Sequence, residues 1–394
     1  MTTTDGGPPP PPAEPGTRLD LGALLADRST RIVVCCGSGG VGKTTTAAAM
    51  GVLAAERGRH AVVITVDPAR RLAQSMGLTE LDNTPRPVEL PAETGRAAAE
   101  RGGAPGSLHA MMLDMKRTFD ETVEAHADPE RARQILANPF YQSLSTSFSG
   151  TQEYMAMEKL GQLRQSGEWD LIIVDTPPSR SALDFLDAPK RLGRFLDGRL
   201  VRFLSAPPAT GAFRLLGAGV GMVTSMIGKI VGAQVLKDVQ TFITAFDAVF
   251  GGFQERAEQT FRLLQAPGTA FIVVAVPESD ALREASYFID RLRTDRMPLA
   301  GLVLNRVHPL SARGLPAEQA EAAARSLAET AEHPLAEAAL RLHAERARVR
   351  AREARLRDGL TAAHPRVPVV DVPARPEDVH DLASLRAIGH DLAP

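Results

Sequence analysis

Cysteine is almost missing from this chain: 394 residues hold two, Cys35 and Cys36, and they are neighbours in an apolar run. Adjacent strand residues point to opposite faces, so the pair is poorly placed to share a metal ion or to form a structural disulfide. Small buried strand residues is the reading that fits their setting. An excess of charge is also missing, with 45 Lys and Arg against 47 Asp and Glu. No electrostatic case exists for nucleic acid as the main partner. The polar, proline-rich start lacks the apolar core of a secretory signal, so cytoplasm is the expected compartment. The histidines are scattered without ligand spacing, and no structural zinc or other structural metal is expected.

What is present has a clear rhythm. Residues 1–17 (MTTTDGGPPPPPAEPGT) form a low-complexity tail, expected to be disordered. Beyond it, residues 18–394 are expected to form one α/β domain. Short Val/Ile-rich runs at Arg31–Cys36, Ala61–Val66, Asp170–Val174, Ala270–Val276, Leu299–Asn305 and Arg366–Val372 alternate with helical patterns. That alternation predicts a doubly wound, mostly parallel sheet covered on both faces. Residues 83–107, rich in Pro, Gly and Ala, read as a surface loop. Residues 190–265 are apolar and too long for a simple crossover, so they are read as an inserted helical lobe. Residues 316–358 read as one or two exposed helices, with Leu335, Leu342, Val349 and Leu356 seven residues apart. The residues three or four beyond the first three of these are Ala, Glu or Arg. That narrow seam favours a helix packed along one edge over a free-standing coiled coil.

The run Ile32–Cys36 leads directly into Gly37-Ser38-Gly39-Gly40-Val41-Gly42-Lys43-Thr44-Thr45, and an alanine-rich helical stretch follows. Strand, glycine loop and helix in this order form a phosphate-binding loop. The glycines allow the backbone N–H groups to turn inward around a phosphate chain, and the helix N-terminus adds its dipole. Lys43 is expected at the β and γ phosphates of ATP, Thr44 at Mg²⁺ and Thr45 at the α phosphate. Asp67 and Asp175 each end a predicted strand, on the edge where a parallel sheet binds ligands. Hydrolysis needs one group to hold Mg²⁺ through its water and one to orient the attacking water. Asp175 is assigned to the metal and Asp67 to the water, with helix N-capping the competing role for each.

With GSGGVGKTT, TVDPARRLAQSMG and DTPPSRSALDFLDAP in place, the chain resembles the ArsA-type anion-transporting ATPases. That family includes arsenical-pump ATPases and the ATPases that target tail-anchored membrane proteins; MinD, ParA and the nitrogenase iron protein are its deviant-Walker kin. The resemblance covers about residues 30–310 and 365–390. It implies that Asp67-Pro68-Ala69 is switch I and Asp175-Thr176-Pro177-Pro178-Ser179 is switch II, the latter departing from the family's Asp-Thr-Ala-Pro-Thr. It implies that Asn305 reads the adenine edge, and that Val372-Pro373-Ala374 closes over the base. It implies an ATP-dependent dimer, formed between chains because the motifs occur once.

Two departures qualify the resemblance. Relatives carry a lysine where this chain has Ser38, and that lysine reaches the partner's nucleotide. A serine brings no cation across an interface. Either Arg70, Arg71 or Arg180 substitutes, or the second ATPase subunit is a different chain that keeps the lysine; a homodimer remains the other option. The helical lobe also has no cysteine, so thiolate-based metalloid pumping and a Cys-x-x-Cys zinc clamp are both unexpected. The lobe's Leu215–Leu236 is long enough to suggest a membrane span, but glycines and Lys229 disfavour one. It is read as internal packing or as a groove, with Met222 and Met226, for an apolar client. The leading expectation is an ATPase coupled to a client or membrane partner, with a peripheral place at the membrane open to it. A MinD/ParA-like positional switch and a weakly catalytic regulatory subunit are the alternatives.

Overall fold

The computed structural model describes residues 18–66, 70–100, 104, 106–139, 141–142, 151–177, 253–312, 314–330 and 332–393. These residues divide into two compact units.

The larger unit is built on one sheet. Its strands are β1 (Ile32–Cys36), β2 (His60–Thr65), β3 (Arg86–Pro87), β4 (Ser107–Met112), β5 (Leu171–Asp175), β6 (Thr269–Ala275), β7 (Leu299–Val307) and β8 (Val369–Pro373). They lie in the order β3-β4-β2-β5-β1-β6-β7-β8. Every pairing is parallel except that of the short edge strand β3 with β4. From β1 the chain builds outward on one side through β5, β2 and β4, and on the other through β6, β7 and β8. This makes β1 the switch point of a doubly wound sheet. The central strands are buried along their whole length, as a sheet covered on both faces requires.

Helix α2 (Lys43–Glu56) lies over the centre of the sheet. Its alanines 47, 48, 49, 54 and 55 have no exposed surface, so small side chains bring its backbone close to its neighbours. The C-terminal helix α12 (Leu382–Leu392) packs on α2, and the buried Glu56 accepts from Arg386 (2.5 Å) and pairs with His390 across that contact. On the opposite face α9 (Ser279–Thr294) packs on β6 and β7 and buries Phe288, Ile289 and Leu292. Helices α10 (Ala317–Thr330) and α11 (Pro334–Ala363) form an antiparallel hairpin before β8.

One expectation is corrected, and others fall outside the described residues. Residues 83–107 are not a loop: they hold β3 and α4 (Ala92–Glu100) and run into β4. The density of Pro and Gly masked an alanine-rich helix, and Ser-Leu-His-Ala-Met-Met carries no β-branched residue to announce a strand. The inserted lobe falls largely on residues outside those described. Of the stretch from 190 to 265 only α8 (Phe253–Gln265) is described. Likewise the tail 1–17 and the apolar run 215–236 lie outside the described residues.

The smaller unit contains α5 (Met115–His126), α6 (Pro129–Leu136), α7 (Thr151–Ser166) and most of α8. Asp114 and Asp128 cap α5 and α6 through the backbone N–H groups of Arg117 and Arg131. Lys159 reaches Glu121 at 3.0 Å and Arg256 reaches Glu158 at 3.2 Å.

At the sheet edge opposite the glycine loop, Arg59 is fully buried. Its guanidinium donates to Asp170 Oδ1 and to the carbonyls of Leu25, Asp27, Thr30 and Asp170, all within 2.8 Å. Those acceptors match the five donors of an arginine. One side chain thereby joins the turn before β1, the start of β2 and the start of β5. Removing one partner of a buried, bonded charge strands the other and costs about 3–5 kcal/mol. Arg59→Ala should therefore lower the unfolding free energy read from a urea titration by that amount, and Arg59→Lys should recover only part of it, because an ammonium cannot reproduce the fork.

Candidate functional site

The parallel strands place their C-terminal ends along one edge, and those predicted site residues that are described lie there. Gly37 through Gly42 wrap from β1 to α2, with positive φ at Gly37 (152°), Gly40 (75°) and Gly42 (94°). Two of these positions admit no side chain. A Cβ on Gly37 would lie 2.1 Å from the Val274 carbonyl oxygen, and one on Gly42 would lie 2.3 Å from Asn305 Nδ2. Beside Gly40 the space is open, as a backbone cradle for a polyphosphate requires. Lys43, 6% exposed, folds back over the loop and donates from Nζ to the Ser38 carbonyl at 2.8 Å. Its ammonium is thus held above the concavity that the loop encloses. Ser38 contributes its carbonyl to this geometry.

Asp175 ends β5 with no exposed surface. Its Oδ2 accepts from the Thr44 hydroxyl at 2.6 Å and from the Thr65 hydroxyl at 3.0 Å. The carboxylate therefore ties the first turn of α2 to the ends of β2 and β5. Beside it the Thr176 hydroxyl donates to the Cys35 carbonyl at 2.8 Å, which fixes the start of the predicted switch II. Thr65 was not singled out in the sequence. A threonine at the last position of the strand before Asp67 was its only signal.

Asn305, near the end of β7, donates from Nδ2 to the Val41 carbonyl at 2.8 Å and accepts the Arg306 N–H on Oδ1 at 3.0 Å. Arg306 itself takes a left-handed φ of 58°. Asn305 thus pins the glycine loop to the far half of the sheet. An amide has two N–H groups and two lone-pair directions, so one of each is left over. A cleft of about 570 Å³ opens beside it, lined by Gly42, Thr45, Gln74, Asn305, Pro373 and Ile388 among others. Pro373 and Asn305 therefore share one cavity with the mouth of the glycine loop. Gln74 and Ser75 on α3 (Arg70–Ser75) line it too, and nothing in the sequence pointed to them. Asp67, with Arg70, Arg71 and Arg180, cannot be added to this geometry: Asp67 and Arg180 fall outside the described residues, as do the side chains of the two others.

Cys35 pairs with Asp175 across β1 and β5. Burial, and after it the Asp175 carboxylate, pushes the Cys35 thiol well above its ordinary value, and burial pushes Cys36 up to about 12. Among the described residues no cluster of His, Cys, Asp or Glu could hold a metal ion by itself. No described helix is long and apolar enough to cross a membrane.

The family described as Anion-transporting ATPase matches residues 30–325. This chain belongs to that family of P-loop ATPases, and it is an ATP-hydrolysing enzyme. Among curated relatives, the ATPase GET3 of Malassezia globosa is 26% identical over 301 residues, 75% of this chain and 77% of that one. The ATPase get3 of Schizosaccharomyces pombe is 25% identical over 74% and 77% of the two chains. An ATPase ASNA1 homolog of Entamoeba dispar is 23% identical over 73% and 80%. Family membership brings ATP and Mg²⁺ as the expected ligands. The loop fits the first, because its two constrained glycines leave backbone where side chains would stand. The Thr44–Asp175 oxygen pair fits the second, since Mg²⁺ favours hard oxygen donors.

The two thiols supply a check on this geometry. A thiol whose value is raised by folding stays protonated, so its contribution to stability is intact below about 9 and is lost as pH rises toward 12. At pH 8 a disulfide reagent should label neither Cys35 nor Cys36 in the native protein and both after denaturation. Rapid native labelling would contradict the buried placement of β1 beside Asp175.

Proposed function

We propose that this chain is one subunit of a two-chain ATPase. It binds Mg-ATP on Gly37, Ser38, Gly39, Gly40, Val41, Gly42, Lys43, Thr44 and Thr45, and turns hydrolysis into a cycle of subunit association that serves an apolar or membrane-related client. The observation that carries this reading is the 2.6 Å bond between Thr44 Oγ1 and Asp175 Oδ2, beneath a lysine poised over the glycine loop. Thr44 would ligate Mg²⁺ and Asp175 would hold it through water. Bound Mg²⁺ would neutralise charge on the β and γ phosphates. Lys43 would exchange the Ser38 carbonyl for phosphate oxygen and stabilise the same charge from the other side. Asp67, one residue beyond the described end of the β2 segment, would orient the attacking water. The free N–H and lone pair of Asn305 suit the N7 and amino group of adenine, the pairing that amide side chains make with this base. Pro373 would cover its other side.

Ser38 supports a heteromeric partner, because this chain offers no lysine at that place to a second copy. The lobe sequence Leu215–Leu236, apolar yet broken by glycines and Lys229, supports an apolar client over a membrane span. The working place would be the cytoplasm, with peripheral contact at the membrane.

Lys43→Ala and Asp175→Asn should each lower turnover about 100-fold or more, while Asn305→Ala should chiefly raise KM for ATP and relax selectivity against GTP. These effects are read by phosphate release with each nucleotide. The pairing is read by sedimentation of the pure chain with Mg-ATP. A homodimer that forms with ATP and turns over at full rate would sink the heteromeric reading and leave the site assignments standing.

A further inference from the structure

Helix α11 has three kinds of face. One packs on α10, where Ala320, Ala324 and Ala344 are completely buried and His343 Nε2 bonds the Leu315 carbonyl at 2.8 Å. A second reaches the strand ends of the nucleotide cleft. Glu353, 5% exposed, accepts the His308 N–H at 3.1 Å and its Nδ1 at 2.5 Å, just beyond Asn305 and Arg306. Arg357 and Arg350 reach Asp371 at 3.0 and 3.7 Å, next to Val372 and Pro373. The third face is uncovered. Leu335, Leu342 and Val349 are 86%, 49% and 42% exposed. The heptad seam visible in the sequence is therefore not what packs α11 onto α10; the alanines do that. The seam continues at helical spacing from Val349 to Glu353 and Leu360, both buried. One continuous stripe is covered at its C-terminal end and bare at its N-terminal end.

We propose that the bare part of this stripe docks an acidic amphipathic helix from a partner protein, and that docking is felt at the nucleotide cleft. Charge names the partner. From Arg341 to Arg357 the helix carries seven arginines against two glutamates. Arg341, Arg348, Arg350 and Arg357 are already paired with Glu337, Glu321 and Asp371, which leaves Arg346, Arg352 and Arg355 to face a partner. Arg346 and Arg352 flank the stripe, are exposed, and make no ion pair among the described residues. A second copy of this face would bring arginine against arginine. The stripe's width selects a helix over a lipid surface. One large apolar residue every seven, with the small Ala338 and Ala339 beside it, is the narrow seam of helix pairing, whereas a membrane-lying helix needs a broad apolar face. The route to the cleft is short: the bare part of the stripe runs onto Glu353, which holds the segment after Asn305, and the next turn holds Asp371 beside Pro373. The coupling part rests on the nucleotide reading above; the docking part does not.

The probe is a designed 28-residue peptide with leucine at one heptad position and glutamate on its flanks, titrated by fluorescence anisotropy into the full chain without nucleotide. Binding that weakens with salt is expected. Leu335→Ser with Leu342→Ser and Val349→Ser should weaken it about tenfold or more. Arg346→Glu with Arg352→Glu should do likewise and should transfer binding to a lysine-flanked version of the peptide. All five positions are exposed, so circular dichroism of the variants should be unchanged. With saturating Mg-ATP, peptide affinity should change by about fivefold, and the peptide should change the affinity for a fluorescent ATP analogue by the same factor. No peptide binding overturns the proposal, as does a preference for phosphatidylserine vesicles, for duplex DNA, or for a second copy of the chain that is lost with the same substitutions. Peptide binding with no response to ATP overturns the coupling. Failure to bind ATP at all counts against the nucleotide reading instead, since docking is measured without it.

Discussion

A buried carboxylate governs the ligand edge of this fold. Asp175 has no exposed surface, yet its Oδ2 gathers hydroxyls from α2 and β2. A charge so placed is tolerable only when its oxygens are bonded, so the glycine loop, β2 and β5 must end in register around it. The register of β1 with β5, Cys35 opposite Asp175, then sets where the loop departs. The same strand carries the chain on toward switch II. A change in what Thr44 bonds to would thus be transmitted directly to β5, which on the reading proposed above would give nucleotide occupancy a mechanical outlet without any long pathway.

A second constraint works from the other end of the sheet. Arg59 gathers the starts of three segments with five bonds, while Asn305 joins the loop to β7 at the ligand edge. The half of the sheet carrying β5 and β2 is therefore tied to the approach to β1 at one edge, and the half carrying β6 to β8 is tied to the loop that leaves β1 at the other. Function can use the loops at this switch point because the strands beneath them are held independently.

Most of the sheet was legible in the sequence because its central strands are buried on both faces. Runs such as Ile-Val-Val-Cys-Cys and Leu-Ile-Ile-Val admit few other readings. The glycine loop was legible because its chemistry needs particular residues in order. β4 was not, since Leu, His and Met carry little strand preference and its identity comes from pairing with β2. Thr65 and Gln74 were not, because their place at the site follows from where strand ends and a short helix meet. Asp67, the residue assigned to the attacking water, was legible only as a motif, and its place in the site rests on that.

The bare, arginine-flanked face of α11 bears on why Ser38 is tolerable. Lys43 already occupies the Ser38 carbonyl at 2.8 Å, so the loop's own cation is satisfied without a lysine at position 38. On the family resemblance, what would be lost is a contact made to another subunit. A chain that gives up a reciprocal contact at its loop weakens its pairing with itself more than its pairing with a chain that keeps the lysine, since in the mixed pair one of the two contacts survives. An arginine-rich, apolar-striped helix that repelled its own copy would act in the same direction. On the two-chain reading proposed above, both features would penalise like-with-like association, and a preference for an unlike partner would not depend on either one alone.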